Sequence, residues 1–125
     1  MTELPTSGAP EVVYREGLAA GELRYQRCRS CTTAVFPPRV LCPGCGGEEL
    51  AWHRSAGRGT TYSTTAVRSR AGAHNVVLVD LDEGFRMMSR VDGVEPDAVT
   101  IGGRLDFAVV EEAGEPVAVF REVRS

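Results

Sequence analysis

Apolar and polar residues alternate through most of the second half of the chain, and this pattern predicts β-strands. The segment NVVLVDL is almost continuously apolar, as in a buried strand, whereas GRLDFAVV places Leu105, Phe107 and Val109 on one face. The patterns predict five strands, at residues 61–67, 75–81, 85–91, 103–110 and 117–123. We expect Val79 and Phe107 to be core residues of the sheet they form.

Turn residues separate these strands and suggest how they connect. Asp82-Glu83-Gly84 and the EAGEP segment are typical of turns, and EPDAV, at residues 95–99, predicts a brief helix or turn between the third and fourth strands. Five short strands with such a helical link match a small five-stranded Greek-key barrel, the OB-fold.

The first half of the chain begins with a different pattern. Residues 10–20, PEVVYREGLAA, predict a short helix, because proline is tolerated in a first turn and Gly21 can end the helix. Val13, Tyr14 and Leu18 would face the body of the protein, and a packing role is favoured over a partner-docking one. The following LRYQRC segment alternates as a strand.

All four cysteines lie in one twenty-residue stretch, as two C-x-x-C pairs formed by Cys28 with Cys31 and Cys42 with Cys45. Four thiolates at this spacing match a closed, tetrahedral, structural Zn²⁺ site that leaves no position for a substrate. Iron in the same cage is favoured less, and a redox disulfide or catalytic site less again. The metal would hold together a segment too small to have its own core.

The turns within the two pairs differ in composition. In CPGCGG, Gly46 directly follows the last cysteine, where glycine permits a positive φ. Thr32 occupies the corresponding place after the first pair, so we expect the first turn to be less regular.

Charge is distributed unevenly along the 125 residues. Residues 24–70 contain eight arginines and two acids, whereas residues 80–122 contain eleven acids and four arginines. The chain has no lysine, which excludes Schiff-base chemistry and a lysine general base. Every cation outside the two histidines is a guanidinium, a group suited to phosphate or carboxylate.

No apolar run approaches the roughly 20 residues needed to span a bilayer, and the N-terminus lacks the features of a signal peptide. We therefore expect a cytoplasmic protein with reduced thiols. The patterns divide the chain into four parts: a flexible leader at 1–9, an N-terminal helix at 10–22, a zinc ribbon at 23–56 and the OB-fold at 57–125.

Several segments together resemble the acyl-CoA-associated family known as domain of unknown function thirty-five. They are GLAAGELRYQRCRSC, FPPRVLCPGCGG, SAGRGTTYSTTAV and VDLDEGFRMMSRV, so the resemblance covers nearly the whole chain. Its most specific marks are Pro37-Pro38-Arg39, the CPxCG turn and Gly57-Arg58-Gly59, and Thr32 departs from the glycine common in the family. The resemblance implies a mainly β protein with a short N-terminal helix, a rubredoxin-like zinc ribbon and a C-terminal OB-fold barrel.

The resemblance also implies a role as a non-catalytic accessory subunit. Such a subunit binds a thiolase-superfamily enzyme (a thiolase, condensing enzyme or steroid side-chain aldolase) or a hydratase and helps form its acyl-CoA site. Arg39, Arg54 and Arg58 lie in the basic half and are candidate contacts with CoA phosphates or the partner. Arg58 is preferred because its flanking glycines would let a ligand approach. These arginines could instead offset the charge of the zinc site or be solvated.

Two other functions are possible for a zinc ribbon joined to an OB-fold. Single-stranded nucleic-acid binding needs basic surface and stacking aromatics, but the middle strands carry one aromatic, Phe85, and several acids. An autonomous enzyme would have to use His53 or His74, neither of which has a nucleophile at a suitable spacing. We therefore expect neither nucleic acid nor membrane as a partner.

Overall fold

The structure, a computed structural model, describes residues 8–123. The described chain divides into two compact units, one ending at Ala56 and the other beginning at Gly57. We call them the ribbon unit and the barrel unit and describe each by itself. Most of the predicted leader, residues 1–7, lies outside the described residues.

The ribbon unit begins with helix α1 (Pro10–Ala19), close to the predicted limits. Val13 and Leu18 are buried, as the apolar pattern predicts. The helix ends in a Schellman motif, in which the Gly21 amide donates to the Leu18 carbonyl and the Glu22 amide to the Gly17 carbonyl. A helix of ten residues is too short to cross a membrane, and the described residues contain none that is longer.

A three-stranded antiparallel sheet follows, in the spatial order β2-β1-β3. Its strands are β1 (Arg24–Cys28), β2 (Ala34–Val35) and β3 (Leu50–Arg54). Val35 packs with the buried Cys28 and Cys42 in a small core, with Leu50 against it. Two of the four cysteines thus form much of the apolar interior of this sheet.

The barrel unit holds six strands in the order β6-β5-β4-β8-β9-β7. They are β4 (Arg58–Ser69), β5 (Gly72–Leu81), β6 (Arg86–Ser89), β7 (Val91–Asp92), β8 (Arg104–Glu112) and β9 (Glu115–Glu122). A single residue, Arg90, separates β6 from β7. The two are one interrupted strand, whose first part pairs with β5 and whose second part pairs in parallel with β9. This change of partner closes a five-stranded OB-fold barrel, as predicted.

The buried side-chain amide of Asn75 forms hydrogen bonds with the backbone next to the interruption at Arg90. Asn75, on β5, is 5% exposed. Its Nδ2 donates to the Val91 carbonyl at 2.9 Å, and its Oδ1 accepts from the Val91 amide at 2.8 Å. Asn75 therefore supplies β7 with the hydrogen bonds that pairing with β5 would otherwise provide.

The barrel core confirms Val79 and corrects Phe107. Val79, Leu105 and Phe120 are fully buried, whereas Phe107 is only partly buried. Pairing between β4 and β8 ends at Asp106, and β8 continues paired with β9. Phe107 therefore lies where the β8–β9 hairpin extends past β4, and less of the sheet covers it.

The predicted link at residues 95–99 is a turn and not a helix. The Ala98 amide donates to the Glu95 carbonyl at 2.9 Å, and the chain then continues without helical structure to β8. One hydrogen bond of this kind closes a turn but does not nucleate a helix.

Candidate metal centre and surface arginines

The two C-x-x-C turns have the same backbone geometry. The Thr32 amide donates to the Cys28 carbonyl at 2.9 Å, and the Gly46 amide donates to the Cys42 carbonyl at 2.8 Å. Thr32 and Gly46 both adopt left-handed backbone angles, with φ of 63° and 75°. The expectation of a less regular first turn is therefore wrong, because the threonine accepts the conformation that glycine adopts more easily.

The turns bring the four sulfurs together, all within 4.8 Å of one another. The Sγ atoms of Cys28 and Cys45 are 3.6 Å apart, as are those of Cys31 and Cys42. These distances are too long for disulfides. They are close to the roughly 3.8 Å expected between sulfurs that bind one ion tetrahedrally at about 2.3 Å. The four cysteines are positioned for metal binding.

Hydrogen bonds favour ionisation of two of these thiols, those of Cys28 and Cys31. The Thr33 hydroxyl, 3.0 Å from the Cys31 sulfur, and then the Thr33 amide lower the pKa of Cys31 to about 6. Backbone amides, that of Cys31 foremost, lower the pKa of Cys28. The Gly47 amide acts in the same direction on Cys45, but hydrogen bonds with neighbouring thiols raise its pKa to about 12. A bound cation would stabilise all four as thiolates.

Neither histidine belongs to this cluster. His53 is exposed on β3, with its ring 5.7 Å from that of Tyr25, and His74 is exposed on β5. Within residues 8–123, the four cysteines form the one group of three or more potential metal ligands. Neither histidine therefore contributes to a composite site.

The three candidate arginines have different surroundings. The Arg54 Nε lies 2.6 Å from a carboxylate oxygen of Glu22, whose other oxygen pairs with Arg24 at 2.9 Å. Glu22 is 14% exposed, so this network is part of the packing of the ribbon unit. In contrast, the guanidinium groups of Arg39 and Arg58 are exposed and form no hydrogen bond with any described residue.

The backbone of Arg39 is held by a buried side chain. Gln26, 3% exposed on β1, accepts from the Arg39 amide at 2.7 Å and donates to the Arg39 carbonyl at 2.8 Å. The clamp fixes the backbone while the guanidinium remains free in solvent. This clamp was not predicted from the sequence. The one signal for it was a polar residue, Gln26, within the strand that leads into the first cysteine pair.

The glycines around Arg58 serve internal packing. A Cβ at Gly57 would lie 2.8 Å from the Cβ of Phe107, and one at Gly59 would lie 2.7 Å from the Asp80 carbonyl oxygen. Both contacts are within the barrel unit and are too close for any larger residue. Gly57 and Gly59 are therefore required by close contacts inside the barrel unit, and these contacts do not give a ligand access to Arg58.

The outer face of β4, β5 and β6 carries an exposed aromatic that sequence reasoning overlooked. Tyr62 is 52% exposed, and the Arg86 guanidinium lies 3.5 Å from the centre of its ring. Arg86 also bonds both Asp80 oxygens, at 2.6 and 3.2 Å, which raises the pKa of Arg86. Phe85, the one aromatic that the sequence places on the middle strands, is 5% exposed. On this face, the Tyr62 ring is thus partly covered by Arg86, whose charge Asp80 neutralises.

A second ion pair reinforces this neutrality. Arg104 donates to both oxygens of Asp82, at 2.9 and 2.7 Å. The hydrogen bond with Arg104 lowers the pKa of the Asp82 carboxyl. Two of the cations of the barrel unit are therefore committed to carboxylates of the same unit.

Comparison with known proteins agrees with this architecture. Residues 15–51 match the family model described as ChsH2, rubredoxin-like zinc ribbon domain, and residues 52–111 match ChsH2, C-terminal OB-fold domain. A DUF35 domain-containing scaffold protein of Methanothermobacter thermautotrophicus is 29% identical over 98 residues, which are 71% of this chain and 74% of that protein.

Two further similarities extend the comparison. A probable enoyl-CoA hydratase alpha subunit of Thermomonospora curvata is 30% identical over 103 residues, which are 78% of this chain. This chain covers 32% of that subunit, about a third of its length. A chain of the solved Ltp2-ChsH2(DUF35) aldolase is 28% identical with a TM-score of 0.81, and the match covers 94% of this chain and 98% of that one. The chain therefore belongs to the DUF35 family of ChsH2-type proteins, which join a rubredoxin-like zinc ribbon to a C-terminal OB-fold.

Proposed function

We propose that this chain is a non-catalytic accessory subunit of an enzyme that acts on CoA thioesters. The partner would be a thiolase-superfamily enzyme, including aldolases of that superfamily, or a hydratase. The observation that carries the proposal is the match to the DUF35 chain of an aldolase assembly, over 94% of this chain with a TM-score of 0.81. Relatives named as scaffold proteins and as a hydratase alpha subunit support it.

The metal in this proposal is a structural Zn²⁺ bound by Cys28, Cys31, Cys42 and Cys45. Four soft sulfur ligands favour zinc and leave no open coordination position, so the ion would stabilise the ribbon unit without reacting. Iron can occupy the same set of thiolates. A reduced four-thiolate cage persists in the cytoplasm, which is the compartment we propose.

Arg39 and Arg58 are the proposed contacts with the partner or with CoA phosphates at a shared site. Both are exposed and form no hydrogen bonds through their guanidinium groups within the described residues. Arg54, the third candidate, is engaged by Glu22 at 2.6 Å, so we assign it to folding.

Surface chemistry supports an accessory role over the two alternatives. A nucleic-acid-binding OB-fold needs open aromatic platforms and unpaired cations. Here Arg86 covers Tyr62 and pairs with Asp80, and Phe85 is buried. An autonomous enzyme needs a nucleophile, acid or base gathered at one place. His53 and His74 are both exposed, and within the described residues neither joins a cluster of three or more histidine, cysteine or acidic side chains that could hold a metal.

Co-expression with the enzyme encoded beside this chain tests the proposal. We expect a stable complex on size-exclusion chromatography, with both chains present by mass spectrometry. The proposal is wrong if that enzyme is a CoA-thioester enzyme and yet the two purified proteins do not associate at micromolar concentrations.

A further inference from the structure

The ribbon unit carries a small cavity beside Arg39. Its volume is about 170 Å³, and its apolar walls come from Pro10, Val40, Leu50 and Trp52. Pockets for cofactors and drug-sized ligands start at roughly 300 Å³. This cavity is therefore of a size for one side chain rather than for a whole small-molecule ligand.

The wall and rim of the cavity are held in place by the ribbon sheet. Trp52, on β3, is the direct cross-strand neighbour of Gln26 on β1. Gln26 also lines the cavity and clamps the Arg39 backbone at 2.7 and 2.8 Å. A partner that enters would therefore meet a surface that is already ordered, which lowers the entropic cost of association.

The surface next to the cavity is unusually apolar for exposed residues. Val40 is 73% exposed and Leu41, which follows it, is 49% exposed. Exposed apolar residues next to an arginine and a tryptophan have the composition of an interface core.

The charges at the rim indicate what kind of group enters. Arg39 and Glu48 both line the cavity, and neither forms an ion pair with a described residue. Arg39 can accept a carboxylate, whereas Glu48 would repel a phosphate that approached the same opening. The cavity thus suits a polypeptide, which can carry an acidic side chain toward Arg39 and a neutral or basic one toward Glu48.

We infer that this cavity is a docking pocket for one apolar side chain of the partner enzyme, on a segment that places a carboxylate beside it for Arg39. The inference rests on the proposed function, because it takes the CoA-thioester enzyme as the occupant. It assigns Arg39 to protein recognition rather than to CoA.

The tryptophan in the cavity wall supplies a direct reporter. Trp52 is the one tryptophan of the 125-residue sequence, so 5-fluorotryptophan labels this position alone. We expect the unlabelled partner enzyme to change the chemical shift of the ¹⁹F resonance of Trp52. Free CoA at millimolar concentration should leave the resonance unchanged.

Substitutions at the rim test the same surface through affinity. Arg39→Glu and Val40→Asp should each raise the Kd for the partner by about tenfold or more. The Gln26 clamp uses backbone atoms of Arg39, so it survives either change. Arg15→Glu and Val12→Asp are the matched controls, since both residues are exposed on α1 and neither lines the cavity. They should leave the Kd within about twofold.

The outcomes separate this inference from the proposed function. A stable complex in which the Trp52 resonance does not move and Arg39→Glu binds normally overturns the pocket and leaves the accessory role intact. A Trp52 resonance that moves with CoA alone overturns the choice of occupant. Failure of the wild-type chain to bind the partner enzyme overturns both.

Discussion

At the scale of single residues, Thr32 is the clearest departure from ideal local chemistry. It holds φ at 63° in a turn whose counterpart uses Gly46 at 75°. A non-glycine residue in this region carries a cost of roughly 1–2 kcal/mol. The Thr32 hydroxyl donates to the Cys31 carbonyl at 2.6 Å, which offsets part of that cost.

We expect Thr32→Gly to stabilise the metal-bound ribbon by up to about 1 kcal/mol, because it relieves the backbone. The measurement is the chelator concentration at which half of the metal is released, which should rise. Ala113→Gly is the control. Ala113 also has a left-handed backbone, with φ of 52°, but it lies in the β8–β9 hairpin of the barrel unit. Relief of backbone strain at that position should leave the chelator midpoint unchanged. Metal release by Thr32→Gly at a lower chelator concentration would show that the threonine stabilises the turn.

How far a single residue can be predicted depends on how local its cause is. The cysteines were predictable because C-x-x-C spacing specifies the turn within four residues. The Gln26 clamp joins residues 13 apart in the chain, and the need for Gly59 arises from a carbonyl on β5. Contacts between residues distant in the sequence become apparent when the fold is known, and the local pattern does not predict them.

At the scale of elements, the β8–β9 hairpin offers a comparison between two aromatics in contact. The rings of Phe107 and Phe120 meet edge to face, with centroids 6.1 Å apart. Phe120 is fully buried, and Phe107 is partly exposed where the hairpin passes β4. We therefore expect Phe120→Ala to cost about 3–5 kcal/mol in unfolding free energy and Phe107→Ala distinctly less. Urea denaturation of both variants measures the difference, and equal losses would contradict the assigned burial.

The ribbon as an element depends on its metal. Cys42 is 2% exposed, and its sulfur accepts a hydrogen bond from the Gly44 amide at 3.3 Å. Cys42→Ser leaves three thiolates, so we expect loss of the ion and of ordered amide signals from residues 24–54. Metal analysis of the wild-type protein should find about one zinc per chain. Preparations that contain neither zinc nor iron would refute the metal site.

The elements were more predictable than their connections. Apolar runs, alternation and β-branched residues located the strands of the barrel. The pattern predicts one strand at residues 85–91. In the structure this strand is interrupted at Arg90, where its pairing partner changes from β5 to β9. β2 has two residues, too few to produce a pattern.

At the scale of the whole molecule, carboxylates of the barrel unit offset much of its positive charge. Arg86 and Arg104 are paired with Asp80 and Asp82. We therefore expect no salt-sensitive binding of a fluorescent single-stranded DNA at near-physiological ionic strength. Tight binding that weakens steeply as salt is added would favour a nucleic-acid function instead.

The central claim is that this chain serves an enzyme without catalysing the reaction itself. The most direct test is CoA-thioester turnover by the enzyme encoded beside it, measured for each protein alone and for the reconstituted pair. We expect no turnover by this chain, low activity or low stability of the enzyme alone, and full activity of the pair. An enzyme that is equally active and equally stable without this chain, or turnover by this chain alone, would contradict the accessory role.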